Sequence, residues 1–452
     1  MKKTILLGLC LAALISCKDD KKSTEVAAVK ETLAPVSEAL MENSVIYEAN
    51  IRQYSPEGTF AAFTKDIPSL KKMGVKIIWV MPIYPIGEKN RKEGLGSYYS
   101  IKDYKGINPE FGTLEDFKTL VKTAHENGIY VILDWVANHT AWDHQWTVDH
   151  PDYYTKDKDG KIIAPYDWTD VAELNFDNKA MRKEMINEMK YWITTTDIDG
   201  FRCDVAGEVP TDFWEEATPE LNKVKPVFML AEAEKADLMK KAFDMAYGWE
   251  SHHIMNEIAQ GKKNVKAWDD YIVKKDTVFQ ADDFTMYFTS NHDENSWNGT
   301  EYERMGDAVE LFAALTFTAP GMPLIYNGQE YDFKKRLRFF EKDTLIKEKG
   351  KMYEVYEKLG VLKNNNVALN GGKKAASYTR IATSSDANIL AFERAKDSKQ
   401  VYFVGNMTKK DQTFTTPIEG TYTDYMSGQK MTLSKDQKLV FKPWEYKILV
   451  KE

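Results

Sequence analysis

The sequence predicts an α/β protein: a (β/α)8 TIM barrel with a small lobe inserted after its third strand, followed by a C-terminal antiparallel β-sandwich. Three observations lead there. Eight short apolar runs alternate with amphipathic helical stretches between about residues 44 and 366, and near-continuous apolar runs mark strands buried on both faces of a parallel sheet. No Gly-rich phosphate loop follows any of these runs, so an open doubly wound sheet lacks support. After residue 366 the helical period stops and short alternating segments begin.

The elements follow in order. Residues 1–17 read as a signal peptide. Met1-Lys2-Lys3 is basic, and Ile5 to Ile15 is an apolar run too short to span a bilayer comfortably. Leu14-Ile15-Ser16-Cys17 resembles a bacterial lipobox, which implies that Cys17 is lipidated after cleavage; an ordinary signal peptide with an incidental cysteine is the plainer alternative. Lys18-Asp19-Asp20-Lys21-Lys22 is similar to the export tags of surface lipoproteins in some Gram-negative bacteria. The expected location is therefore the cell envelope, lipid-anchored, at the outer-membrane surface or else in the periplasm. Residues 18–43 are polar and contain Pro35, and read as a flexible tether. Once the signal is removed, Cys17 and Cys203 remain, and acylation of Cys17 leaves no pair for a disulfide.

Eight strands are expected at residues 45–50, 76–81, 130–134, 200–204, 227–232, 243–246, 284–288 and 322–326. Thr113 caps a helix that ends at Asn127-Gly128, just before the third strand. A second helix runs from Asn178 to Ile193 with Met185, Met189 and Trp192 at helical spacing. Residues of about 140–176, rich in Trp, Tyr, Asp and Pro, exceed an ordinary βα loop and form the predicted lobe over the barrel mouth. Residues 367–452 form the sandwich, with strands such as 389–392, 401–404 and 446–450.

Composition narrows the partners. The chain has 452 residues, of which 43% are hydrophobic, enough for a sizeable core. Its net charge of -8 argues against nucleic acid, which requires a concentrated basic face.

A barrel of this kind places its active site at the C-terminal strand ends. Polar residues cluster there: Asp134 with Asn138-His139, Arg202 and Asp204, Glu232, and Asn291-His292-Asp293. Four strands thus carry carboxylates to one rim, and burying so many acids without purpose would be costly. Retaining glycoside hydrolysis needs an ionised carboxylate to attack the anomeric carbon and a protonated one to donate to the leaving oxygen, about 5 Å apart. Arg202, two residues from Asp204 on one strand face, would keep Asp204 ionised as nucleophile. The apolar run before Glu232 would raise its pKa and suit it as the acid/base. Asp293 would stabilise the developing positive charge. Glu234 is a rival acid on the same strand face as Glu232. Cys203 alternates away from the mouth and reads as packing. Trp142, Trp146 and Trp168 could serve equally as sugar platforms or as the core of the lobe.

Asp134-Trp135-Val136-Ala137-Asn138-His139, Gly200-Phe201-Arg202-Cys203-Asp204, Glu232 and Phe288-Thr289-Ser290-Asn291-His292-Asp293 resemble, in order, the four signature regions of the α-amylase family, glycoside hydrolase family 13. Tyr99, Asp103-Tyr104, Asn108 to Thr113 and Glu173-Leu174-Asn175 add to the likeness, which covers roughly residues 44–452. It implies that Asp204 is the nucleophile, Glu232 the acid/base and Asp293 the stabiliser. It further implies that Arg202, His139 and His292 contact the sugar at the cleavage point, with Tyr99 stacking beneath it. Asp134 reads as a structural acid bonded to backbone or to Arg202. No cofactor is required for the chemistry. Calcium stays open with Asn138 as the candidate ligand, because Glu208 stands where many members carry a histidine near a calcium ion, and no compact loop of alternating acids is visible around Asp167 and Asp170. Glu173 replaces the aspartate often found before Leu-Asn. The implied substrate is an α-glucan or malto-oligosaccharide, cleaved at α-1,4 bonds, and other surface glycan-uptake proteins would be candidate neighbours at the cell envelope. The alternatives are an α-1,6-cleaving or transglycosylating member, or a non-catalytic glycan-binding lipoprotein that keeps the barrel.

Overall fold

The computed structural model describes residues 33–280 and 282–451. The expected signal peptide, Cys17 and the expected tether up to residue 32 lie outside the described residues. Among those described, no helix is long and apolar enough to cross a membrane.

Among the described residues ten strands precede the C-terminal module: β1 (Ile46–Ala49), β2 (Ile77–Val80), β3 (Tyr130–Trp135), β4 (His139–Ala141), β5 (Val171–Glu173), β6 (Gly200–Cys203), β7 (Phe228–Ala231), β8 (Met245–Tyr247), β9 (Phe284–Tyr287) and β10 (Met322–Tyr326). Eight of them close into a parallel barrel in the order β1-β2-β3-β6-β7-β8-β9-β10, with β10 paired back to β1. The expected apolar runs are these eight strands. The run at 243–246 shifts to 245–247, because Asp244 turns its carboxylate back to the N–H of Met229 at 2.8 Å.

The barrel interior is filled by alternate strand residues, among them Ile46, Trp79, Ile132, Leu230, Tyr247 and Met286, so it is a packed core and not a pore. The opposite strand faces pack against the helices, where Cys203, Phe201 and Trp192 are buried. The Leu114–Glu126 helix begins with a reciprocal capping box between Thr113 and Asp116. The Lys179–Thr196 helix is capped by Asn178, whose side chain accepts from Ala180 and Met181.

The predicted tether needs correction at its C-terminal end. Ser37 caps a short helix, Glu38–Glu42, and Met41 joins the barrel interior with Leu33, Val36 and Leu40 packed beside it. The hydroxyl of Tyr130 donates to the carbonyl of Ala34 at 2.8 Å. The polar average over residues 18–43 concealed four apolar side chains that plug the N-terminal end of the barrel.

The lobe is held by the antiparallel pair β4–β5, with His139 opposite Glu173 and Ala141 opposite Val171. At the C-terminus a six-stranded antiparallel sheet runs in the spatial order 377–380, 389–396, 399–406, 446–450, 420–424 and 429–433, faced by the pair 412–414 and 439–441. Phe414, Tyr422, Phe441 and Leu449 form the core between the two sheets. Arg394, fully buried, ties this module to the barrel by donating to the carbonyls of Thr318 and Asn370, both at 2.8 Å.

Candidate active site

The site is organised around one buried guanidinium. Arg202 lies on β6, which starts at Gly200 with φ +151; a Cβ there would sit 1.9 Å from the carbonyl oxygen of Phe228, so only glycine lets β6 and β7 approach this closely. Asp134 on β3 pairs in register with Arg202. Nη1 of Arg202 stands 2.9 Å from Oδ1 of Asp134 and 3.1 Å from Oδ1 of Asp204, and Nη2 stands 2.8 Å from Oε1 of Glu232. The ring of Trp79 lies 4.8 Å from the guanidinium carbon. Burial alone would depress the arginine, but the charges of Asp134 and Glu232 outweigh it and hold the guanidinium protonated. Arg202 is 0% exposed. The expected contact with the sugar is not open to it in this arrangement: it lies beneath the cavity beside Asp134, behind Asp204 and Glu232, and fixes those carboxylates.

Asp204 and Glu232 share the guanidinium of Arg202. Burial raises the pKa of Asp204 well above the usual carboxylate range, and the neighbouring charge of Glu232 adds to that rise against the opposing Arg202. Burial also raises Glu232, with Arg202 again opposing. The sequence had Arg202 ionising Asp204 alone; in the structure the guanidinium faces both acids and is shared. Two buried carboxyls at one cation release their protons in two steps, so across an intermediate pH range the pair holds one proton and one charge. Oε2 of Glu232 accepts the backbone N–H of Val205 at 2.7 Å. Val205 holds that geometry at φ +38, a conformation that costs a β-branched residue free energy and that is typical of functional turns. No sequence signal marks Val205.

On the opposite side, Nδ1 of His292 lies 2.6 Å from Oε1 of Glu48, and Nε2 lies 2.7 Å from the hydroxyl of Tyr99, which donates to Oδ2 of Asp134 at 3.1 Å. Burial works against an imidazolium here, but the charges of Asp293 and Glu48 overcome it and push His292 up to about 9. A cationic His292 donates at both nitrogens, which sets the direction of the whole chain: His292 to Glu48, His292 to Tyr99, Tyr99 to Asp134. Trp79 completes Asp134 by donating to Oδ2 at 3.0 Å. The sequence reading missed Glu48 and Trp79. Glu48 had a visible signal, an acid near the C-terminal end of an apolar strand run, the same pattern that singled out Asp204 and Glu232. His139 behaves in the opposite way: burial lowers it to about 4, so it meets a ligand as neutral imidazole. Asp293, about one-third exposed, leans over His292 with Oδ2 at 3.3 Å from Nε2.

A cavity of about 290 Å³ gathers Tyr99, His139, Asp204, Glu232, His292 and Asp293 on its wall. Asp134 and Arg202 lie beneath it. Glu234 does not reach it; its carboxylate instead accepts the backbone N–H of Glu250 at 2.7 Å. Trp168 lines the cavity, Trp146 is buried in the lobe, and Trp142 donates to the carbonyl of Thr169. Asn138 turns its amide to Nδ1 of His139 at 3.2 Å, and Asp170 pairs with Lys92 at 3.0 Å. Among the described residues, no group of three or more His, Cys, Asp or Glu side chains is arranged to hold a metal ion.

A parallel barrel that brings three carboxylates and two histidines of opposite protonation to one small mouth has the equipment of a glycosidase. The chain belongs to the alpha-amylase family: the model of the alpha amylase catalytic domain matches residues 31–170 and 164–365, and that of a beta-galactosidase C-terminal domain matches residues 391–451. It is 25% identical to alpha-amylase MalA of Haloarcula japonica over 89% of this chain, and spans 61% of that relative's length. Among solved structures it is similar to an alpha-amylase from Lactobacillus plantarum, with 31% identity, TM-score 0.82, and coverage of 91% of this chain and 99% of the other. It is also similar to a noncanonic maltogenic alpha-amylase, AmyB from Thermotoga neapolitana, with 29% identity, TM-score 0.84, and coverage of 90% and 98%.

Proposed function

We propose that the protein hydrolyses α-glucosidic bonds, chiefly α-1,4, in starch, glycogen or maltodextrins, with retention of configuration. One observation carries this reading: Asp204, Glu232 and Asp293 share one cavity with Asp204 and Glu232 both fixed on a single buried guanidinium. Glu232 passes its proton to the glycosidic oxygen while Asp204 attacks the anomeric carbon; the bond to the leaving sugar breaks and a glycosyl ester forms on Asp204. Glu232, now ionised, takes a proton from water as the water oxygen attacks the same carbon and releases Asp204. A pair that shares one proton needs only that the proton stand on Glu232 when the leaving oxygen arrives. Asp293 and neutral His139 grip the sugar hydroxyls, and the carboxylate of Asp293 favours the oxocarbenium-like transition state. The steps themselves need no cofactor.

Chromatography of products from maltoheptaose, pullulan and panose tests the proposal. Maltoheptaose is expected to be cleaved, and its survival under conditions where the protein is folded overturns the reading. Cleavage of panose at its α-1,6 bond would instead assign the other linkage, and products longer than the substrate would report a sugar hydroxyl replacing water.

The N-terminal sequence supports a further part of the proposal. The basic start, the short apolar run and Cys17 favour export to the cell envelope and lipid anchoring, which would place the enzyme where large glucans arrive from outside.

A further inference from the structure

The rim of the cavity is built unequally. The connections after β6, β7 and β8 are short: residues 204–210, 232–235 and Gly248 lead straight into helices. The connections after β2 and β10 are long, running over residues 81–113 and 327–350, and they meet. The N–H of Leu95 donates to the carbonyl of Phe340 at 3.0 Å, and the N–H of Gly94 donates to Oε1 of Glu341 at 2.9 Å. Phe339 stacks on Tyr99 at 6.3 Å with 14° between planes, while Trp297, from the connection after β9, packs on Phe339 and Phe340 at 5.1 and 5.8 Å. Asn295 secures the same contact by accepting the N–H of Leu337 at 2.8 Å. On the other flank the Lys92–Asp170 ion pair joins the long β2 connection to the lobe. A continuous wall thus runs from the lobe across the β2, β10 and β9 connections, and the side of β6 to β8 stays low.

Orientation follows from the chemistry, and so rests on the function proposed above. A proton donor stands on the side of the leaving group, and Glu232 rises from β7, on the low side. The sugar retained by Asp204 therefore points toward Tyr99 and Phe339, into the wall. On the low side the lobe offers Tyr166, 69% exposed, held at φ +52 and hydrogen-bonded to Glu208, a stacking surface for the outgoing chain. We propose that Phe339, Phe340 and Trp297 close the glycone end of the site, so that the enzyme removes short units from non-reducing chain ends and does not cut chains internally.

The test uses two maltoheptaosides labelled with p-nitrophenol at the reducing end, one free and one capped by a 4,6-ethylidene group at the non-reducing end, with products separated by chromatography. The free substrate is expected to be shortened from its non-reducing end, and the capped one to react about 100-fold more slowly, as when a shaped pocket rejects an added hydrocarbon group. Equal rates on the two would overturn the exo-acting assignment and leave hydrolysis standing. Cleavage of neither by folded protein would overturn the hydrolytic reading itself. In Trp297→Ala/Phe340→Ala, checked for folding by circular dichroism, the capped substrate is expected to gain about 10-fold; no gain removes the wall as the cause.

Discussion

Glu48 and His292 meet at 2.6 Å, although one lies on the first strand of the barrel, the other on the connection after the seventh, far apart in the chain. With Asp293, whose charge acts more strongly, this contact makes His292 a cation, and it orients the other nitrogen toward Tyr99. Replacing Glu48 with Gln removes a buried negative charge beside the ring. The pKa of His292 is expected to fall from about 9, read by NMR titration of the imidazole. A charge-assisted hydrogen bond contributes about 1.5–3 kcal/mol, so kcat is expected to drop about 10- to 100-fold. An unchanged imidazole titration would show that Glu48 does not set the charge of His292.

Glu232→Gln separates the two carboxyl roles. Loss of a positioned general acid costs about 10²–10⁴-fold on a glucan, whose leaving oxygen needs a proton. An α-glucosyl fluoride needs none, so its reaction with Asp204 should be far less impaired. Glu232's charge also raises Asp204, so the acid limb of the pH profile on the fluoride should move to lower pH. Equal losses on both substrates would count against Glu232 as the proton donor.

Asp134→Asn probes the buried ion pair. Asp134 is fully buried beside Arg202, which keeps Asp204 and Glu232 as counter-ions, so losing this one charged partner is expected to cost about 1–3 kcal/mol in stability. Both the thermal midpoint and turnover are expected to fall. A stable but inactive variant would mean that Asp134 acts on chemistry alone.

Buried acids outside the site predict how stability follows pH. Burial pushes Glu301 and Glu330 each up to about 7, although Glu330 accepts the hydroxyl of Tyr47 at 2.5 Å. In the unfolded chain these groups ionise near their ordinary value of 4.5, so between about pH 4.5 and 7 the unfolded state binds fewer protons than the folded one. Stability is therefore fullest below that window and is lost as pH rises through it, by roughly 3 kcal/mol per group. Glu330→Gln should flatten the fall in thermal midpoint from pH 5 to 8; an identical slope would place the pH dependence elsewhere.

Cys17→Ala should move the protein from the membrane to the soluble fraction of its host, since the apolar run before it is too short for a stable span. Persistent membrane association would remove lipid anchoring at this residue.

The barrel was legible because its signal is local. Runs such as Ile77 to Val80 are apolar on both faces, and that pattern survives without knowledge of neighbours. The strand-end acids were legible for the same reason: Asp204 and Glu232 interrupt apolar runs at the mouth. The helix at Glu38–Glu42 was hidden because four apolar side chains were averaged into a charged segment. The role of Arg202 was misjudged because residue spacing gives the side of the strand and not the depth; only packing shows that Asp134, Asp204 and Glu232 stand around it.

By itself, the sequence determined the kind of fold, the rim on which the chemistry sits and the residue types that perform it, because period and strand-end position are written along one dimension. Tertiary structure alone decided which acids share a cation, which histidine is charged, and which loops meet to wall the cavity. Those properties depend on distances between segments that lie from tens to more than two hundred residues apart in the chain, which periodicity along one dimension does not encode.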